Sequence, residues 1–136
     1  MKKCVMNIVK YFTVFMLFTL VSFAVKSQTL TFCEDVDDDG NAIESGSSFF
    51  IPSDGGYIWF LVNLPYEVNC KQVHFSIYAL DDYGKENFDN TVYQDVKTNW
   101  VWFSKKVTFY HTGDYNVYVY DDKYNQLTKG TVRIKM

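Results

Sequence analysis

Apolar and polar residues follow one another along this chain in short runs that have the length and spacing of β-strands. Residues 71–80 alternate strictly, with Val73, Phe75, Ile77 and Ala79 on one side and Gln72, His74, Ser76 and Tyr78 on the other. That is the period of two expected of a strand with one buried face. Residues 57–64 are almost continuously apolar and rich in aromatic and β-branched types. They are too few for a buried helix and lie between Gly56 and Pro65, which predicts a central strand. Near the end, Tyr115, Val117 and Val119 alternate with Asn116, Tyr118 and Tyr120. A loop at 121–125 and the positions Gly130, Val132 and Ile134 follow, which reads as a terminal hairpin. Residues 29–36 and 47–51 supply an opening strand, turn and strand, and 100–103 and 107–110 add further strand material. Residues 85–99 read as a weaker polar segment. Short strands at this spacing, with no amphipathic helix among them, predict an all-β antiparallel sandwich of about seven strands.

The first 27 residues have a different pattern. Lys2, Lys3 and Lys10 precede an apolar run over 11–25, and Val25-Lys26-Ser27 offers a cleavage site before Gln28. This is the layout of a secretory signal peptide. The run is shorter than the roughly 20 residues a membrane-spanning helix needs, and an uncleaved signal anchor is the competing reading. Cys33 follows Leu30-Thr31-Phe32 and Cys4 precedes the run, so neither forms a lipoprotein-type box. The expectation is an exported chain, periplasmic, on the cell surface or extracellular, with residues 28–136 as one domain.

Cleavage changes the charge. Loss of four of the 13 basic residues leaves 9 against 16 acidic ones, a net charge of −7. Nucleic-acid binding needs a basic stripe to displace counterions from phosphates, and none is present in the pattern. Cys33 and Cys70 remain, and an oxidising compartment permits them to pair; a bridge and two separate buried thiols are both open.

The segment Thr112-Gly113-Asp114-Tyr115-Asn116-Val117-Tyr118-Val119 resembles the E–F corner and F strand of immunoglobulin-like domains, with Tyr115 as the corner tyrosine. The resemblance covers mainly residues 100–135 and implies an immunoglobulin-like sandwich of a secreted bacterial protein. Val117 stands where antibody domains carry a cysteine, so the resemblance implies no inter-sheet disulfide of that kind. The fold hosts many unrelated activities and names none.

Chemistry-bearing residues are few. Asp35, Asp37 and Asp39 with Gly40 match positions 1, 3, 5 and 6 of an EF-hand calcium loop, but position 12 is Gly46 instead of the bidentate glutamate. The same residues make an ordinary solvated turn, and calcium is the alternative. Only His74 and His111 could serve as imidazole bases. Cys70 and His74 lie four residues apart, about 13 Å along an extended strand, beyond contact. Trp59, Tyr78, Tyr118 and Tyr120 are the rings that alternation turns away from the apolar face. They are candidates for stacking on a carbohydrate or contacting a protein partner; the competing reading is cross-strand pairing that stabilises the sheet. The function expected is that of a non-enzymatic binding or structural module, with a carbohydrate-binding module as the alternative.

Overall fold

The computed structural model describes residues 27–136. The segment read as a signal peptide, Ser27 apart, lies outside the described residues. Among the described residues nine strands run in chain order: β1 (Thr29–Val36), β2 (Ala42–Gly46), β3 (Ser48–Phe50), β4 (Gly56–Asn63), β5 (Gln72–Leu80), β6 (Glu86–Asp95), β7 (Trp102–Phe109), β8 (Gly113–Tyr120) and β9 (Gln126–Lys135). They form a β-sandwich, one sheet ordered β2-β1-β4-β7 and the other β3-β9-β8-β5-β6. No helix among the described residues is long and apolar enough to cross a membrane.

Two strands beyond the expected seven come from short or polar segments. β2 carries almost no buried side chain, and β6 is exposed throughout its first half. The two runs near 100–110 are one strand, β7, because Lys105 takes the inward position opposite Phe60 and is only half buried at the sheet edge. An inward charge on an edge strand deters pairing with another chain. One pairing departs from the antiparallel expectation: β3 runs parallel to β9, Ser48 facing Arg133 and Phe50 facing Lys135.

The core lies between the sheets and is built on aromatic rings. Phe60 of β4 meets Phe32 edge-on at 5.2 Å, Phe75 at 5.6 Å and Phe109 at 6.1 Å between centroids. Phe109 meets Tyr115 at 4.9 Å. Gly130 occupies an inward position on β9, where a Cβ would come within 2.9 Å of the Phe32 ring. That missing side chain lets the sheets close at this point.

The outer face of the four-stranded sheet is covered by its own chain. β1 pairs with β4 only from Thr29 to Cys33, while its pairing with β2 continues to Val36. The β1–β2 hairpin therefore leaves the sheet and folds across it, so that Gly40 rests on the Trp102 indole, where a Cβ would lie 2.6 Å from the ring. Cys33 and Leu61, outward by alternation, are 0% and 2% exposed as a result.

Candidate functional site

The other outer face, that of the five-stranded sheet, is uncovered. Its outward residues fall into cross-strand rows. The first is Gln126, Tyr120, His74 and Tyr93; the second Lys129, Tyr118, Ser76 and Thr91; the third Thr131, Asn116, Tyr78 and Phe88. Ring centroids connect without a break across the rows: Phe88 to Tyr78 at 5.8 Å, Tyr78 to Tyr118 at 5.6 Å, Tyr118 to Tyr120 at 6.5 Å and Tyr120 to His74 at 5.2 Å. His74 also meets Tyr93 at 5.8 Å and Tyr124 at 5.0 Å. Seven rings thus form one ribbon. The inner members Tyr78, Tyr118 and Tyr120 are half-buried by one another, whereas Phe88, Tyr93 and Tyr124 are 66%, 56% and 75% exposed.

Of the four rings singled out by alternation, the structure brings together Tyr78, Tyr118 and Tyr120. Trp59 stands on the opposite side of the sandwich, on β4, in the row of Cys33 and Lys106. The two sets cannot touch one ligand. Sequence reasoning missed Phe88, Tyr93 and Tyr124, the members of the ribbon most open to solvent.

His74 is the buried polar centre of the ribbon. Burial pushes its pKa below the ordinary value of 6.5, and the nearby Asp121 carboxylate opposes that shift only partly. The unfolded chain therefore binds a proton on His74 more readily than the folded one, so this group's stabilising contribution is full above pH 6.5 and is lost as pH falls through the folded value. Asp37, Asp114, Asp121 and Glu86, all held below their ordinary 3.8 or 4.5, act only at lower pH. Thermal melts between pH 7 and 5 are expected to show a falling midpoint in the wild type and a flatter profile in His74→Gln. Tyr124 reaches His74 from a left-handed backbone conformation, φ 63°, which bulky residues rarely adopt.

Beside Tyr118 the ribbon has a polar flank. Oε1 of Glu86 accepts the Tyr118 hydroxyl and the Asn116 Nδ2, the latter at 2.8 Å; Thr131 Oγ1 in turn donates to Asn116 Oδ1 at 2.6 Å. These bonds hold Glu86 ionised at neutral pH, below the usual carboxylate range. A concavity of about 220 Å³ opens there, lined by Asn116, Tyr118, Lys129, Gly130 and Thr131. A separate cleft of about 460 Å³ lies along β7 and its preceding loop, with Trp100, Trp102 and Gln94 in its wall.

Asp35, Asp37 and Asp39 do not converge, and among the described residues no three His, Cys, Asp or Glu side chains are placed to share a metal ion. Asp37 Oδ1 accepts the backbone N–H groups of Asp39 and Asn41 at 3.0 and 2.8 Å, and Oδ2 accepts the Asn41 amide. Asp121 binds Lys123, Asn125 and the Asn125 amide in the same way, and Asp81 binds Tyr83 and Lys85. The fourth residue of each turn, Gly40, Gly84 or Tyr124, has positive φ. Three turns of one design, with different side chains, mark the aspartate as a turn-former. Asp37→Ala is expected to lower the melting midpoint equally with millimolar calcium and with chelator; a calcium-dependent rise in the wild type would reinstate the cation.

Cys33 and Cys70, the cysteines among the described residues, are free and buried. Cys33 Sγ donates to Trp59 O beneath the hairpin, outside the four-stranded sheet, while Cys70 packs in the core and donates to Gln72 O. The sheet stands between them. Tyr115 donates its hydroxyl to the His111 carbonyl at 2.8 Å. Compared with known proteins, the chain matches no family model and no curated protein.

Proposed function

We propose that this chain is an exported, immunoglobulin-like binding module that acts without catalysis, and that the outer face of its five-stranded sheet is the surface it binds with. The observation that carries the reading is the ribbon of seven rings ending in the exposed Phe88, Tyr93 and Tyr124. One face of an antiparallel sheet in water is ordinarily polar, and a contiguous exposed apolar patch marks a contact surface. Support for the immunoglobulin-like relation comes from the strand order. β9-β8-β5-β6 follows the order G-F-C-C′, β1-β4-β7 follows A-B-E, and the Tyr115 hydroxyl bonds to backbone four residues upstream. Binding is favoured over catalysis by the position of His74, the more buried of the two histidines, which is walled in by three rings.

The test is retention of the purified protein on isolated bacterial cell envelopes. The wild type is expected to sediment with them and the triple variant Phe88→Ser/Tyr93→Ser/Tyr124→Ser to stay in solution with an unchanged circular-dichroism spectrum. Equal retention of both would remove this face from the account. Export is checked separately by the mass of the protein recovered from the periplasm or medium, which should begin at Gln28. The carbohydrate reading is favoured over a purely apolar contact by the polar flank at Glu86, Asn116 and Thr131.

A further inference from the structure

Glu86 is not a wall of the concavity beside Tyr118 but bonds to two residues that are, Tyr118 and Asn116, so groups of opposite hydrogen-bonding character lie side by side at its edge, and that combination restricts what can bind there. Glu86 is ionised, and its Oε1 is occupied by Tyr118 and Asn116, which leaves Oε2 as an acceptor. Thr131 spends its proton on Asn116 Oδ1 and so offers only lone pairs. Asn116 has a second amide hydrogen left, and Lys129, opposite Tyr118 in the register, brings an ammonium. An anion would meet the Glu86 carboxylate and a cation the Lys129 ammonium. A group that both donates and accepts at adjacent atoms satisfies the two together, and hydroxyl is that group. The Tyr118 ring adds an apolar wall, and about 220 Å³ is below the roughly 300 Å³ at which sites for drug-sized ligands begin. The side chains are held before any ligand arrives, because Thr131 positions Asn116, which with Tyr118 positions Glu86. Such preorganisation lowers the ordering cost of binding.

We infer that Glu86, Asn116, Tyr118, Lys129 and Thr131 form a subsite for one neutral pyranose ring, whose hydroxyls bridge the carboxylate and the ammonium while a C–H face lies on Tyr118. This rests on the binding-face reading and deepens it.

The experiment is a calorimetric and saturation-transfer NMR titration of the purified protein with a panel of neutral mono- and disaccharides, with free glycine as the zwitterionic control. At least one saccharide is expected to bind the wild type. Glu86→Gln and Lys129→Met should each weaken it by about tenfold or more, as loss of a hydrogen bond to a charged group does. Lys106→Met, on the outer face of the other sheet, should leave the affinity unchanged. Matching melting curves ensure that any loss is not unfolding. The subsite is overturned if no saccharide binds, if glycine binds and competes, or if binding survives both charge-removing variants. It is equally overturned if binding is reported instead by tryptophan fluorescence from the cleft of Trp100 and Trp102. Should all saccharides fail while envelope retention still depends on Phe88, Tyr93 and Tyr124, only the subsite falls; loss of that dependence removes the binding face as well.

Discussion

Phe60→Ala is expected to destabilise the protein by about 3–5 kcal/mol, the range for emptying a fully buried phenylalanine site. Phe60 has no exposed surface and is the ring through which the sheets meet, touching Phe32 and Phe109 of its own sheet and Phe75 of the other. Two of the three neighbouring rings cannot move in to fill the space, because each is held by a further ring: Phe75 by Phe103 and Phe109 by Tyr115. Against the roughly 5–15 kcal/mol that stabilises an ordinary domain, the loss brings the variant close to unfolding. Urea denaturation measures it directly. A cost below about 1 kcal/mol would mean that the sheets are not packed through this ring.

Gly40→Ala should cost about 2–5 kcal/mol, from two sources that a control separates. Gly40 has φ of 82°, a conformation that costs an L-residue roughly 1–2 kcal/mol. The new methyl would also lie 2.6 Å from the Trp102 indole, and overpacking of this kind typically costs about 1–3 kcal/mol. Gly84 holds the equivalent position in a turn of the same design, φ 77°, with open space around it. Gly84→Ala therefore carries only the backbone cost, and the difference between the variants reports how tightly the β1–β2 hairpin is pressed on the four-stranded sheet. Equal costs would show that the hairpin lifts readily from Trp102.

Local pattern determined most of the fold that could be read in advance. β1, β4, β5 and β8 follow from apolar runs and alternation because each has a face in the core. β6 is an edge strand whose first five residues are exposed on both faces, so it carries no alternation there. β3 is three residues long and pairs with a strand more than eighty positions away, which no local signal encodes.

The site divides along the same line. Tyr78, Tyr118 and Tyr120 follow from the parity of β5 and β8. Phe88 and Tyr93 do not, because they are an odd number of residues apart and simple alternation puts them on opposite faces. A register shift where the β6 partners pass from Asn90 to Phe88 leaves Asp89 unpaired and turns both rings to the same side. Trp59 was misplaced for a complementary reason: its outward parity is right, but which sheet it belongs to is a matter of strand order. The repeated turn was visible in outline, since residues 37–41, 81–85 and 121–125 each open with Asp-Asp. The resemblance of one copy to a calcium loop obscured what the three share.

On the binding-face proposal, the exposed ring ribbon, and not the hairpin-covered face, meets the ligand. Amide chemical-shift mapping with soluble fragments released from bacterial envelopes tests it most directly. Shifts are expected to be confined to β5, β6, β8, β9 and the Tyr124 turn, and to be strongest around Phe88, Tyr118 and Tyr93. Shifts centred on Cys33, Leu61 and Trp102, with the ribbon unchanged, would contradict it.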